Sequence, residues 1–403
     1  MVVCHVYHYD FKCLFSIKLK VVGYFMTIPC QRHLFSIPTD VAYLNTAYMS
    51  PLMTSVVDSI NLGARLKATP WDISIPDFFK NSELARELFS RIVNVKPESV
   101  ALVPSASYGM ETAARNLKVG EGQTIVMLEN QFPSNVYPWR RLIKKTGGKI
   151  IKVSEEDDRP ITEALLEKID KNCAIVALPN VLWTNGILVD LIAVGKKCKQ
   201  VGAALVLDLT QSLGAMETNL SEIDPDFAVV ASYKWMLSPY STGYLYVSEK
   251  HWDGDPLEGN WISRKESKNF SNLIDYTDNY EVGAMRFDVG ERANFALLPG
   301  AIQAMKQIEE WGVKDIESTL SHNNSILSER LRHLGFLIPS ESNRGSHFIG
   351  ATFPCELKKD ILQILASNQI YVSERGGVMR ITPHLWNNIA DFDKFINVLS
   401  ENL

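Results

Sequence analysis

The feature that most constrains this chain is a series of short apolar runs, several separated by helical patterns. Thr124-Ile125-Val126-Met127-Leu128, Lys149-Ile150-Ile151-Lys152-Val153, Ala174-Ile175-Val176-Ala177-Leu178 and the runs at 203–207 and 227–231 read as strands, and 160–170 and 191–201 read as helices between them. Strands alternating with helices predict a mostly parallel sheet covered by helices on both faces. Gly243-Tyr244-Leu245-Tyr246-Val247 follows the preceding strand with no helix between, so it is expected to run antiparallel. From about 294 the order changes to two helices, 295–311 and 314–334, then short strands and a final helix near 390–402, which implies a smaller α+β domain. A chain of 403 residues is comfortable as two domains. The expected division is an extension at 1–25 outside the fold, a segment 26–45 packing near the small domain and the active site, a large domain at 46–312 and a small one at 313–403.

In such sheets, ligands bind outside the carboxyl ends of strands. Two charged residues fall there. Ala203-Ala204-Leu205-Val206-Leu207 ends in Asp208, and Phe227-Ala228-Val229-Val230 leads into Ala231-Ser232-Tyr233-Lys234-Trp235. A lysine and a carboxylate at the ends of two buried strands suit pyridoxal 5′-phosphate (PLP), which needs an amine for its covalent link and an acidic partner for its ring nitrogen. Lys234 alone would be an ordinary surface charge, and Asp208 alone a cap. Gln211, in Asp208-Leu209-Thr210-Gln211-Ser212, is placed to donate to the ring hydroxyl oxygen. Pro104-Ser105-Ala106-Ser107-Tyr108-Gly109 precedes a helical run at 110–117 and is either a simple cap or a phosphate site. With the lysine downstream, the phosphate reading is preferred. Phe132 either packs in the core or lies flat on the pyridine ring. Tyr233 is either core or a phosphate ligand. Arg380, in Gly376-Gly377-Val378-Met379-Arg380-Ile381, is costly to bury without an anion; it is either a structural ion pair or a clamp for a substrate carboxylate. Arg375 and His384 read as structural or rim residues.

Composition excludes several classes. Hydrophobic residues make up 46% and charged residues 22%, with a formal net charge of −5. The cluster Arg140-Arg141-Leu142-Ile143-Lys144-Lys145 fits the solvated face of an amphipathic helix better than a nucleic-acid site. The six cysteines are scattered, with no zinc-type pairing, so free thiols, no metal and a cytoplasmic location are expected. There is no apolar run of the length that spans a membrane. A nucleotide-binding α/β protein would carry a glycine-rich phosphate loop after its first strand, and none is present.

These motifs, with Tyr43-Leu44-Asn45-Thr46-Ala47, Phe132-Pro133-Ser134-Asn135, Arg286-Phe287-Asp288-Val289-Gly290 and Arg380-Ile381-Thr382-Pro383-His384-Leu385-Trp386-Asn387, resemble the class V aminotransferase family over about 40–400. The resemblance implies PLP fold type I, with a seven-stranded, mostly parallel sheet, and a homodimer with active sites at the interface. It implies that Lys234 carries the Schiff base, Asp208 pairs with the pyridinium, Gln211 bonds the ring oxygen, Ala106 and Ser107 hold the phosphate, Phe132 stacks on the ring and Tyr233 reaches the phosphate. Asn45, Trp183 and Arg380 are the expected substrate contacts. Asn260 and Trp261 are expected to reach the partner's cofactor. The Tyr-Lys pair and Phe-Pro-Ser-Asn segment resemble the kynureninase branch. Trp183-Thr184-Asn185-Gly186 and the run at 286–292 are more similar to isopenicillin N epimerase and C–S lyase relatives. Cysteine desulfurases carry a nucleophilic cysteine shortly before the carboxylate-binding arginine, and here 371–379 contains none; Cys355 is the nearest. The expected activity is therefore that of a lyase or aminotransferase on an amino acid or derivative. Epimerase and kynureninase-like hydrolase are alternatives, desulfurase is disfavoured, and a catalytically idle PLP-fold protein is the rival outside enzymology.

Overall fold

The computed structural model describes residues 27–156, 159–353 and 360–403. The expectations for 1–25 and for Cys355 lie outside the described residues. After the two-residue strand β1 (Ala42–Tyr43) come the seven strands of the main sheet: β2 (Val100–Val103), β3 (Thr124–Leu128), β4 (Lys149–Val153), β5 (Cys173–Pro179), β6 (Ala204–Asp208), β7 (Phe227–Ala231) and β8 (Gly243–Val247). Their order is β2-β8-β7-β6-β5-β3-β4. All neighbours are parallel except β8, which runs antiparallel between β7 and β2, as its short connection requires. Of these, β2 carries no clear strand signal in the sequence. Four buried apolar residues with no alternation carry too little periodicity to distinguish strand from helix.

Alternate side chains of the central strands enter two cores. Val126, Val176, Leu205, Leu207, Ala228 and Val230 pack on one face. Ile125, Ile175, Val206, Phe227 and Val229 pack on the other, against the helix Ala106–Asn116. That helix starts four residues before the expected 110–117. Ser105 caps it, its Oγ accepting the Tyr108 N–H at 3.2 Å. Gly109 then lets it lie close on the sheet, since a Cβ there would stand 2.5 Å from Val229 Cγ2. The phosphate-site candidates are therefore a helix's first turn rather than a loop before it.

The small sheet consists of β9 (Ile349–Ala351), β11 (Ser373–Arg375) and β12 (Val378–Ile381), antiparallel in the order β11-β12-β9, while β10 (Ile370–Tyr371) pairs in parallel with β1. Helices Val313–His333 and Ile389–Ser400 cover this region, whose core joins Leu327, Phe392 and Phe395 to Ala42 and Leu44. Arg32 pairs with Asp391 at 3.0 Å, tying the chain before β1 to the C-terminal helix. The helix Tyr137–Thr146 buries Trp139 and exposes Arg140 and Arg141, so the basic cluster is a solvated face. Among the described residues no helix is long and apolar enough to cross a membrane.

Candidate active site

A cavity of about 260 Å³ opens at the carboxyl edge of the parallel strands. The exits of β2, β3, β5, β6 and β7 supply Ser105, Phe132, Pro179, Asp208 and Lys234 to its lining. Asp208 ends β6 and Lys234 lies just past β7, on adjacent strands. Both are buried, at 7% and 6% exposure. Burial pushes the Lys234 amine down to about 8; Asp208 opposes this, while Arg380 and Arg375 add to it. Burial raises the Asp208 carboxyl, against the bonds from Thr210 and the charge of Lys234. One Asp208 oxygen accepts the Thr210 N–H at 3.1 Å, and Thr210 Oγ1 in turn accepts the Ala231 N–H at 3.1 Å, bracing the ends of β6 and β7.

Ser105 and Ser107 place their hydroxyls 2.9 Å apart at the start of the capped helix, beside Ala106. The first N–H groups of a helix have no intrahelical partner. Phe132 is 41% exposed, with its ring centroid 5.7 Å from Lys234 Nζ and edge-on to Trp183 at 5.3 Å. It belongs to the cavity and not to the core. Tyr233 also lines the cavity, packed on Tyr240 at 4.6 Å; burial pushes its hydroxyl up to about 12, so it remains a donor. Gln211 is held on three sides: Nε2 donates to the Ala47 carbonyl at 3.1 Å, Oε1 accepts Trp235 Nε1–H at 3.1 Å, and its main-chain oxygen accepts from His347 Nε2 at 2.5 Å.

Arg380 is 1% exposed and has no carboxylate partner among the described residues. Its Nε and Nη2 donate to Ser373 Oγ at 3.0 and 2.8 Å, and its Nη1 donates to the Trp183 carbonyl at 2.9 Å. Ser373 Oγ–H passes to Asn45 Oδ1 at 2.8 Å. The structural ion pair considered for Arg380 is thus not formed, and Asn45 connects to Arg380 through Ser373; of the expected substrate contacts, Trp183 lines the cavity, while Asn45 and Arg380 stand behind its lining. His384 is buried and stacked on Trp386 at 4.8 Å, a core residue and not part of the rim.

Two of the singled-out stretches lie apart from the cavity within one chain. The run at 286–292 is structural: Asp288, fully enclosed, accepts from Arg86 at 2.8 Å, from Arg292 and from the Leu102 N–H at 2.7 Å. Asn260 bonds the Asp288 carbonyl at 3.0 Å, and Trp261 packs edge-on with Phe78 and Phe270; neither lines the cavity. Residues missed from sequence are Gln131, Ser134, Asn135, Thr210 and Tyr240. Thr210 lay between two named residues. Tyr240 sits in a loop with no periodic signal.

The family model for class-V aminotransferases matches residues 76–383. The chain belongs to this family. A probable cysteine desulfurase from Pyrococcus abyssi is 24% identical over 338 residues, 79% of this chain and 82% of that protein. A kynureninase from Geobacillus thermodenitrificans is 25% identical over 290 residues, 69% and 68% of the two chains. An apo cysteine desulfurase from Thermococcus onnurineus superimposes with a TM-score of 0.80 at 21% identity, covering 93% of this chain and 99% of the other. The cystine C-S lyase C-DES, in complex with cysteine persulfide, gives 0.81 at 16% identity, covering 90% and 98%. The last two likenesses carry the fold.

Class-V aminotransferases are PLP enzymes, and the residues here fit that cofactor on their own evidence. A buried carboxylate beside a buried amine wants a cationic ring nitrogen as partner. The paired serine hydroxyls at a helix start suit a dianionic phosphate, and an exposed phenyl face beside the lysine suits a planar ring.

Proposed function

We propose that this class-V aminotransferase carries PLP on Lys234 and acts at the α-carbon of an amino acid or close derivative, as a C–S or β-eliminating lyase or as an aminotransferase. The observation that carries this reading is the buried Lys234–Asp208 arrangement on adjacent strand ends. Bound there, PLP supplies an electron sink that weakens the bonds around Cα. Asp208 keeps a proton on the ring nitrogen. The Ser105 and Ser107 hydroxyls, with the first amides of the helix, bind the phosphate; Tyr233 donates to it. Phe132 covers one ring face and helps exclude water. Once displaced by substrate, the Lys234 amine takes and returns the Cα proton, and a pKa of about 8 is suited to that work near neutrality. Arg380 orients the substrate carboxylate.

Epimerisation and kynureninase-like cleavage share these first steps and remain alternatives. Cysteine desulfuration is disfavoured, because the residues before Arg380 form a hairpin with the turn Gly376-Gly377 and the described cavity lining contains no cysteine. A homodimer, with Asn260 and Trp261 facing the partner, and a cytoplasmic location complete the proposal. The rival, an idle PLP-fold protein, would bind cofactor without turnover. The test is borohydride reduction of the PLP-loaded protein with peptide mapping, followed by an amino-acid screen read by the cofactor's visible spectrum and by product analysis. Label on a lysine other than Lys234 would overturn the anchor; no turnover with any amino acid would favour the rival.

A further inference from the structure

Arg380 is not the only guanidinium behind Trp183, the residue through which the small domain meets the cavity lining. In the β11–β12 hairpin Ser373 pairs with Arg380 and Arg375 pairs with Val378. Side chains two apart on a strand share a face, so Arg375 stands on the Ser373–Arg380 face, one step nearer the turn. Gly376 and Gly377, both at positive φ (59° and 81°), close that turn in two residues and fix Arg375 at its end. Both guanidiniums lie over the same indole: the Arg375 and Arg380 carbons stand 5.9 and 5.8 Å from the Trp183 ring centre. Trp183 lines the cavity that holds Lys234.

Neither arginine forms an ion pair with any carboxylate among the described residues. Among the described residues, the only side-chain hydrogen bond of Arg375 is to the Glu374 carbonyl, at 2.6 Å. Asp208 is the only acid lining the cavity among the described residues, and it is committed to the cofactor side. Like charges placed side by side on one aromatic platform repel each other unless anions arrive with the ligand. One substrate carboxylate satisfies one guanidinium fork, which leaves the second fork unmatched.

We infer that Arg375 is a specificity-determining residue, and that the preferred substrate is an α-amino acid bearing a second anionic group on its side chain. Arg380 takes the α-carboxylate and Arg375 the distal anion, with Trp183 holding both forks. This inference rests on the function proposed above and narrows its substrate class. The Ser105–Ser107 turn provides for the cofactor phosphate separately, so the arginine pair is free for substrate.

The test uses the PLP-loaded protein and isosteric pairs, aspartate against asparagine and glutamate against glutamine, with dissociation constants read from the cofactor's visible spectrum. The preferred acid should bind at least about tenfold tighter than its amide, the advantage of one charge-assisted contact. Arg375→Ala should weaken the acid by about tenfold and the amide by less than about twofold; Arg375→Lys should keep part of the preference. Arg375 is half-exposed beside the turn, and near-UV circular dichroism checks that the variant keeps the native fold. Equal affinity of acid and amide in the unmodified protein overturns the inference. So does an Arg375→Ala variant that weakens both alike, which would make Arg375 a packing partner of Trp183, or one that changes only PLP affinity. Failure of every amino acid to perturb the spectrum would instead overturn the proposed function itself, and this inference with it.

Discussion

At the large-domain wall of the cavity, Asp208 and Lys234 stand on neighbouring central strands, and Thr210 ties the two strand ends together. On the small-domain side, behind Trp183 of the cavity lining, Arg380 and Arg375 form a second wall on a hairpin of three- and four-residue strands closed by two glycines. The first wall sets opposite charges on adjacent strand ends; the second gathers like charges with, among the described residues, only a serine hydroxyl and carbonyls as partners. A balanced wall on a rigid sheet is suited to holding a resident cofactor. An unbalanced wall on a small, separate sheet is suited to a ligand that brings its own charge and leaves again. If this contrast is right, damage to the first wall should appear in kcat and in cofactor chemistry, and damage to the second in KM.

Lys234→Ala should be the most severe change. Loss of the proton transfer at Cα alone is expected to cost about 10²–10⁴-fold in kcat, and the covalent link to the cofactor should vanish under borohydride while the fold survives. Turnover near the original rate would break the contrast at its root. The pH dependence of cofactor capture comes next. Only the neutral amine attacks, and burial lowers the Lys234 pKa to about 8. The rate at which apoprotein develops the cofactor's visible band should therefore rise about tenfold per pH unit below pH ~8 and level off above it. At pH 7 roughly 0.1 of the amine is neutral, against roughly 3 × 10⁻⁴ for an ordinary lysine. A rise continuing to pH ~10 would mean that Lys234 is solvated in solution. Asp208→Asn follows. An opposite charge at short range holds a pKa by about 1–3 units, so losing it should lower kcat by about 10–10³-fold, with PLP retained. An unchanged kcat would remove Asp208 from the chemistry.

The large wall was far more legible in the sequence than the small one. Asp208 and Lys234 each follow a long apolar run, and strand ends of a parallel sheet converge by topology, so position along the chain was nearly position in space. The helix beginning at Ala106 starts earlier than its apolar pattern suggests because Ser107 and Gly109 are poor helix formers; the Ser105 cap is local and legible, whereas the fit of Gly109 against Val229 is a tertiary fact. The small wall depends on cross-strand register. That Ser373 opposes Arg380, and that Trp183 reaches both arginines from a turn of the large domain, follows from no periodicity in the chain. From sequence Arg375 is accordingly no more than a structural or rim residue, and the bridge from Asn45 through Ser373 is invisible.

On the small wall, Arg380→Ala should raise KM for amino acids by about 10–100-fold, since a bond to a charged group contributes about 1.5–3 kcal/mol, while PLP content stays constant. Decarboxylated amines should be nearly indifferent. Equal losses for amines and amino acids would make Arg380 structural.

The smallest effect, and the sharpest reading of how the second wall is held, belongs to Ser373. Its oxygen accepts two bonds from Arg380 and its hydrogen goes to Asn45. Removing it leaves Arg380 with the Trp183 carbonyl alone, so the guanidinium gains freedom to turn away from the substrate. A net hydrogen bond is worth about 1 kcal/mol, which corresponds to roughly a fivefold change. Ser373→Ala should thus raise KM by about fivefold and leave kcat and PLP content unchanged, because the serine touches neither the cofactor nor Lys234. Ser373→Thr keeps the hydroxyl and should restore most of the affinity. A fall in kcat at constant KM would place Ser373 in the reacting centre, and the division of labour between the two walls would then fail where they meet.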